Sequence, residues 1–381
     1  MDNYSLDISL IVIFTLVQWR ITSLILAAYP RPWVRRAALA FNVFLVVSYV
    51  STFPAVDAVV PVPGIAITLG AGALAYLLTA TGVLGIYYVL RAARKSLGAE
   101  TNPTRRRVLN AAGNALLVSP FAVVGYGALV QRTDFRIREV DIPMRGLPED
   151  LDGLRLLQLS DIHLSAFLSE AELARVIDAS NELRAHVAFF TGDLISGHTD
   201  PLDACIKQLA RVKSDAGILG CMGNHERYIH AENYTERAAA SAGIRFLRHG
   251  ATRLRFGNAT LNIAGSDFES RRNRARYLAG METLIEPGTV NLLLQHNPDV
   301  FPAAARKGYN LLLAGHTHGG QVTVEILDQS INPARFFTPY VYGLYRLGDS
   351  AAYVTRGIGT IGIPARIGAP PEISLLRLRK A

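Results

Sequence analysis

The chain has 381 residues, half of them hydrophobic, and a formal net charge of +8; its mean hydropathy is +0.22. That length holds one large domain with an appendage, or two ordinary domains. Its two cysteines, Cys205 and Cys221, lie in no CxxC or Cys/His cluster, which argues against a disulfide scaffold and a thiolate zinc site; they read as buried thiols, with one disulfide as the alternative in an exported domain.

The excess of apolar residues lies before residue 131, in stretches long enough to cross a bilayer. Four spans are expected, at about 6–29, 37–53, 65–90 and 108–130. The first carries Gln18 and Arg20, and an arginine at mid-span costs about 2.5–3.5 kcal/mol on insertion scales. Pro120 is expected to kink the fourth, with neighbouring helices re-satisfying the freed carbonyl. Arg20, Asn42, Asn110 and Asn114 are scattered and form no ligand cluster, so they are expected to face helix partners.

Arg31, Arg35 and Arg36 follow the first span, and Arg91, Arg94, Lys95, Arg105, Arg106 and Arg107 follow the third; the loop between the second and third holds only Asp57 and prolines. The positive-inside rule makes the first and third connections cytoplasmic and the part after residue 130 extracytoplasmic. A multi-pass membrane protein is therefore expected. Much of the positive charge is topology signal, so no nucleic acid partner need be invoked. Thr104-Arg105-Arg106-Arg107 before an apolar stretch is similar to a twin-arginine export signal, but as a basic flank of a membrane helix it needs no further role.

From Phe135 onward short apolar runs alternate with helical stretches. Strands are expected at 154–159, 187–190, 218–222, 261–264, 290–294 and 310–313. Ser169-Glu170-Ala171-Glu172 is a capping box that opens a helix to about Leu183. Most of these strands deliver a polar motif at the C-terminal end, where open α/β sheets place ligands. The tail runs 321–326, 352–355 and 373–378 read as strands without intervening helices, which suggests a second sheet of antiparallel character, packed face to face on the first with helices outside. Residues 1–131 and 132–381 are thus read as a transmembrane region and a catalytic domain.

The polar motifs are Asp161-Ile162-His163, Gly192-Asp193, Gly223-Asn224-His225-Glu226, His296 and Gly315-His316-Thr317-His318. Five of the nine histidines fall in them, which turns scattered polar residues into a candidate metal centre. A centre that activates water on phosphorus uses two cations about 3.5–4 Å apart. Carboxylate and imidazole ligands without cysteine suit Mn, Fe, Zn or Co rather than a soft site. Glycines before Asp193, Asn224 and His316 permit tight turns and close backbone approach. Asp267 is read as a turn cap or as a residue reaching the site from a neighbouring strand end. His186, His198, His230 and His249 match no motif and are read as surface or structural.

The ordered motif set resembles the calcineurin-like metallophosphoesterase superfamily, over roughly residues 135–381. The resemblance implies a two-sheet αββα sandwich, here preceded by a four-helix transmembrane region. It implies two divalent ions, with Asp161, His163, Asp193 and His318 on the first and Asn224, His296 and His316 on the second, Asp193 bridging. His225 is then the general acid for the leaving oxygen, and water activated between the ions attacks phosphorus in line. Glu226 stands where the family has Asp or Glu. The run from Gly315 to Gln321, with Arg356-Gly357-Ile358-Gly359-Thr360, Pro364, Arg366 and Pro371-Glu372-Ile373, is similar to a bacterial membrane-linked branch that includes UDP-2,3-diacylglucosamine hydrolases.

The expected substrate is a phosphodiester or pyrophosphate, lipid-linked, because only about twenty residues separate the fourth span from the first core strand. Two other readings compete: a phosphodiesterase for nucleotides or nucleic acid, and a non-catalytic membrane scaffold, which the unsubstituted ligand set argues against. Arg271, Arg272, Arg274 and Arg276 either face substrate or head-group phosphates or form a solvated helix start.

Overall fold

The computed structural model describes residues 3–50, 64–96, 103–326 and 329–381. The end of the second expected span, residues 51–53, and the loop with Asp57 lie outside them. The chain divides into two compact units, Met1–Val130 with Gly362–Ala365 and Gln131–Ile361 with Arg366–Ala381.

Among the described residues the first unit has helices at Asn3–Ala28, Pro32–Val50, Gly64–Ser96 and Pro103–Leu129. Two stretches are long and apolar enough to cross a membrane, Leu69–Ala93 and Arg106–Thr133; Val12–Ala28 is a shorter apolar helix. Among the described residues two candidate spans are thus found where four were expected. The second helix has 19 described residues and carries Arg35 and Arg36 near its start, so its described apolar run, 37–50, is shorter than the roughly 20 residues a hydrocarbon layer needs. The helix around Pro120 stays continuous.

Phe14, Ile21, Leu45, Tyr76, Ala80 and Leu117 form the buried core of this unit. Phe41, Tyr76 and Phe121 pack as a trio, with ring centroids 4.6–5.2 Å apart. The polar residues find partners across helices. Arg20 Nε donates to the Tyr88 hydroxyl, and its guanidinium lies 5.7 Å from the centre of that ring. Asn42 Nδ2 donates to Thr22 Oγ1 at 3.1 Å.

The second unit begins with β1 (Arg136–Met144) and β2 (Arg155–Leu159). Ser169 then caps the helix Glu170–Glu182: its hydroxyl accepts from Glu172 N, and its own N–H donates to the Glu172 carboxylate at 2.7 Å. There follow β3 (Val187–Phe190), helix Leu202–Leu209, β4 (Ile218–Gly220), the short helix Asn224–Tyr228, helix Glu232–Ser241 and β5 (Ile244–Phe246). β6 (Gly250–Phe256), β7 (Ala259–Gly265), β8 (Val290–Leu294), helix Phe301–Lys307 and β9 (Leu311–Ala314) come next. A small ribbon of β10 (Val324–Ile326) and β11 (Gln329–Ile331) precedes β12 (Gly343–Leu347), β13 (Ser350–Val354) and β14 (Glu372–Lys380).

Two six-stranded sheets result, in the orders β1-β14-β2-β3-β4-β5 and β12-β13-β9-β8-β7-β6. β2 to β5 run parallel to one another, as do β7, β8, β9 and β13. Such strands are covered on both faces and so read as continuous apolar runs. Leu156, Val187, Phe189, Leu292, Leu294, Leu311 and Leu313 fill the layer between the sheets. Their sequence neighbours Leu157, Ala188 and Phe190 face the helices outside the first sheet, and Leu293 and Leu312 those outside the second. The period of two along each strand produces this division.

The tail departs from expectation. β13 joins the second sheet beside β9, whereas β14 crosses to the first, pairing parallel with β1 and antiparallel with β2. Of the expected tail strands, only 321–326 pairs outside the two large sheets, in the small antiparallel ribbon of β10 and β11. β13 and β14 each join a parallel-rich sheet, a choice that depends on which neighbour lacks a hydrogen-bonded partner.

Candidate metal centre

Five strand ends meet at one place. β2 delivers Asp161 and His163, β3 Asp193, β4 Asn224 and His225, β8 His296, and β9 His316 and His318. Three groups of possible ligand atoms lie within 4.8 Å of one another: Asp161, His163 and His318; Asp193, His296 and His316; and His163, Asp193 and His225. Asp193 is shared. Its Oδ2 lies 3.0 Å from His296 Nε2 and 3.5 Å from His163 Nε2, so one oxygen faces both halves of the cluster.

The backbone is bent to achieve this. Asp161, His163, Asp193, His316 and His318 all have positive φ, from 46° to 74°. Non-glycine residues rarely adopt that region, and its use clusters at functional sites. Glycine is required where the loops touch. A Cβ on Gly223 would overlap Asp193 Oδ1, and one on Gly315 would overlap Ser160 Oγ and Asp161 Oδ2.

Hydrogen bonds fix the ring orientations. His296 Nδ1 lies 2.6 Å from the Thr191 carbonyl and His225 Nδ1 lies 2.7 Å from the Ser196 carbonyl. A carbonyl only accepts, so each Nδ1 carries hydrogen and each Nε2 is left to face the site. His163 Nδ1 is 3.0 Å from Ser196 Oγ. Ser196 thus holds one ring with its hydroxyl and another with its carbonyl, while its N–H donates to Asp200 Oδ2 at 2.8 Å.

Glu226 is fully buried and its carboxylate accepts from the N–H groups of Gly223, Asp193 and Leu194 at 2.8, 3.0 and 2.6 Å. It ties the loops after β3 and β4 together. Asp193 Oδ1 accepts from His225 N and Asp161 Oδ1 from His316 N, both at 2.9 Å.

Burial pushes the His163, His316 and His318 imidazoles down, His316 to about 4, so their rings are neutral at pH 7. His296 is different. Burial opposes its charge, but the Asp193 and Asp161 carboxylates outweigh that and raise it to about 9. Asp193 is held well below the usual carboxylate range: its burial would raise it, and the adjacent His296 overrides that.

Asp161 Oδ2, His163 Nε2 and Asn224 Oδ1 are buried without a hydrogen-bond partner, and His296 Nε2 has the Asp193 carboxylate beside it at 3.0 Å. Buried polar atoms are almost always partnered. Three acceptor-type atoms left open among carboxylates and imidazoles fit divalent cations, since such ions take O and N ligands from every side.

Of the other sequence candidates, Asp267 lies outside the three groups; its carboxylate is paired with Arg248 at 2.8–3.0 Å. His186 Nδ1 accepts from Arg155 N, and His198, His230 and His249 are exposed. Cys205 and Cys221 are both buried and free. The segment Arg271–Arg276 is a 3-10 helix with no buried residue, and within it Arg271 pairs with Asp299 at 2.7 Å. Ser196, Thr191 and Phe268 were not legible as site residues. Phe268 packs on His296 and His316, with ring centroids 6.0 and 5.3 Å away, and no local pattern marks it.

Residues 154–320 match the family model of the calcineurin-like phosphoesterases. The chain is 32% identical over 279 residues to a zebrafish (Danio rerio) transmembrane protein with metallophosphoesterase domain, covering 70% of this chain and 62% of that protein. It is 27% identical over 266 residues to the uncharacterized metallophosphoesterase YkuE of Bacillus subtilis, with 67% and 89% covered. It is also 27% identical over 228 residues to phosphodiesterase YaeI of Escherichia coli, with 59% and 82% covered. The chain spans about 62% of the length of the zebrafish relative. Fold and site define a metal-dependent phosphoester hydrolase domain, and the matched region, residues 154–320, belongs to the calcineurin-like metallophosphoesterase family.

Proposed function

We propose that the protein is a membrane-anchored dimetal phosphodiesterase whose substrate is a lipid-linked phosphodiester or pyrophosphate, a class that includes UDP-linked acylated sugars. The observation that carries the reading is the set of open buried atoms on Asp161, His163 and Asn224, gathered around the Asp193 carboxylate and His296. In this reading Asp161, His163, Asp193 and His318 hold one ion, Asp193, Asn224, His296 and His316 the other. When bound, the two cations supply the Lewis acidity that activates water and neutralises phosphoryl charge. His225, with Nδ1 tied to the Ser196 carbonyl, delivers a proton from Nε2 to the leaving oxygen. Glu226 keeps the Asp193 and Asn224 loops at fixed separation. Buried in this way, the residues act on phosphorus without a nucleophilic side chain.

Support for the membrane placement comes from Leu69–Ala93 and Arg106–Thr133 and from the name of the zebrafish relative. The arginine-rich connections favour an extracytoplasmic catalytic domain of a bacterial inner-membrane protein that crosses several times. The test is turnover by purified full-length protein, stripped with chelator and reloaded with Mn, Zn or Fe, on lipid-linked and soluble phosphodiesters. Hydrolysis should require metal, and Asp193→Asn should abolish both turnover and bound metal. Near-normal turnover by Asp193→Asn would sink the assignment.

A further inference from the structure

Beside the metal centre lies a cleft of about 490 Å³ whose lining includes Gly223, the residue before Asn224, and Phe268, the ring against His296 and His316. It therefore opens on the side of those two histidines. Its apolar lining is limited to Met222, Phe268 and Ala279 beyond the glycine; the remaining residues are charged or polar. A hydrocarbon chain entering it would strip water from charged groups and leave them unpaired.

The charges are unequally available. Asp267 is neutralised by Arg248, with three contacts of 2.8–3.0 Å. Both carboxylate oxygens of Glu269 take the Leu278 N–H, at 3.1 and 3.0 Å. By contrast, Arg227 is tethered by one bond, Nη1 to the Phe268 carbonyl at 2.7 Å, which aims the side chain while sparing its other donors. Arg276 is exposed, and among the described residues its guanidinium makes no hydrogen bond or ion pair. Glu232 also lines the cleft, available to accept from a hydroxyl. Two guanidinium groups with unused donors, beside the Glu232 and Glu269 carboxylates as acceptors, suit an anion on a hydroxyl-bearing frame, since guanidinium binds phosphate and carboxylate through paired N–H donors.

We propose that this cleft holds a polar, anionic, hydroxyl-bearing group of the substrate, joined to the scissile phosphate, with Arg227 and Arg276 as its anion contacts. It rests on the phosphodiesterase reading above and specifies which end of the substrate enters: the head group, with acyl chains kept outside.

The probe is glycerol 1-phosphate, titrated calorimetrically into chelator-treated full-length protein in detergent, so that no metal competes for the phosphate. Binding is expected to the wild type and to Arg276→Lys, about tenfold weaker to Arg276→Gln, and absent in Arg276→Glu. Equal binding by wild type and Arg276→Glu, or none by the wild type, overturns the proposal. In parallel, metal-loaded wild type and Arg276→Gln are compared on bis(p-nitrophenyl) phosphate, which has no anionic extension. A fall in turnover far smaller than the binding loss is expected there; a fall matching the binding loss would place Arg276 on the scissile phosphate instead and overturn the cleft assignment. Should the wild type with every metal leave that diester intact, the phosphodiesterase reading fails, while the titration still decides the cleft.

Discussion

His296 carries a proton that any cation must displace. Its pKa is raised from 6.5 to about 9 by the neighbouring carboxylates, against the effect of burial. A raised imidazole stabilises the metal-free fold fully below pH 6.5, and that contribution is lost as pH rises through about 9. Metal uptake has the opposite slope, because Nε2 can bind only after deprotonation. Affinity for Mn should therefore rise between pH 6.5 and 9, by up to about tenfold per pH unit, with proton release visible in buffers of different ionisation enthalpy. A flat affinity over that window would remove His296 from the ligand set. His225 makes a different prediction. Its loss should cut turnover by roughly 10²–10⁴ with metal content intact, and the loss should shrink for leaving groups that need no proton. Equal losses for good and poor leaving groups would make it structural. The side chains that chemistry singles out were legible because Asp, Asn and His recur at strand ends. Ser196 was not, since it acts through a carbonyl that every residue possesses.

At the scale of elements, the loop after β13 shows how much of the centre rests on backbone packing. Arg366 is completely buried and donates to the carbonyls of Arg356, Gly357, Gly359 and Ala369 at distances from 2.5 to 3.1 Å. Burial lowers its pKa to about 9, which leaves it charged at neutral pH. Gly357 and Gly359 pack against Asp161 and His163 so closely that a Cβ on either would collide with them. Arg366→Met should strand those carbonyls, lowering stability by on the order of 3–5 kcal/mol and loosening the first ion's ligands. Arg366→Lys should recover little, because an ammonium lacks the planar fork that reaches several carbonyls. Urea denaturation and metal content measure both; a Met variant as stable as the wild type would show that the loop holds itself. The capping box at Ser169 and the alternation in β2, β3, β8 and β9 were readable because they depend on neighbours in sequence. The positive φ of five site residues was not, since only the closure of the loops on one another imposes it.

At the scale of the whole molecule, the ligands and the proposed acid all lie after residue 150, and the second unit has its own inter-sheet core. Gln131 belongs to that unit: its Oε1 accepts from Gly368 N at 2.6 Å. A truncated chain starting at Gln131 should fold, bind metal and cleave a small soluble diester at close to the full-length rate, yet act much more slowly on substrate embedded in vesicles. Equal rates on vesicles would undo the argument for a lipid substrate and favour a soluble nucleotide. A reporter active only outside the cytoplasm, fused after Ala381, should give signal; signal only from a cytoplasmic reporter would reverse the topology and strengthen a UDP-linked substrate.

What this sequence determined by itself was whatever is encoded over a few residues: apolar runs, strand and helix periods, a capping box and five short polar motifs in order. Four apolar stretches were expected to cross a membrane where, among the described residues, two are long and apolar enough. Tertiary structure alone decided that β13 and β14 part company, one to each sheet. It also decided that Ser196, Thr191 and Phe268 surround the centre, and that a polar cleft opens beside it. Those outcomes depend on which groups meet across tens or hundreds of residues, where hydrogen-bond partners and excluded volume, rather than local pattern, select the arrangement.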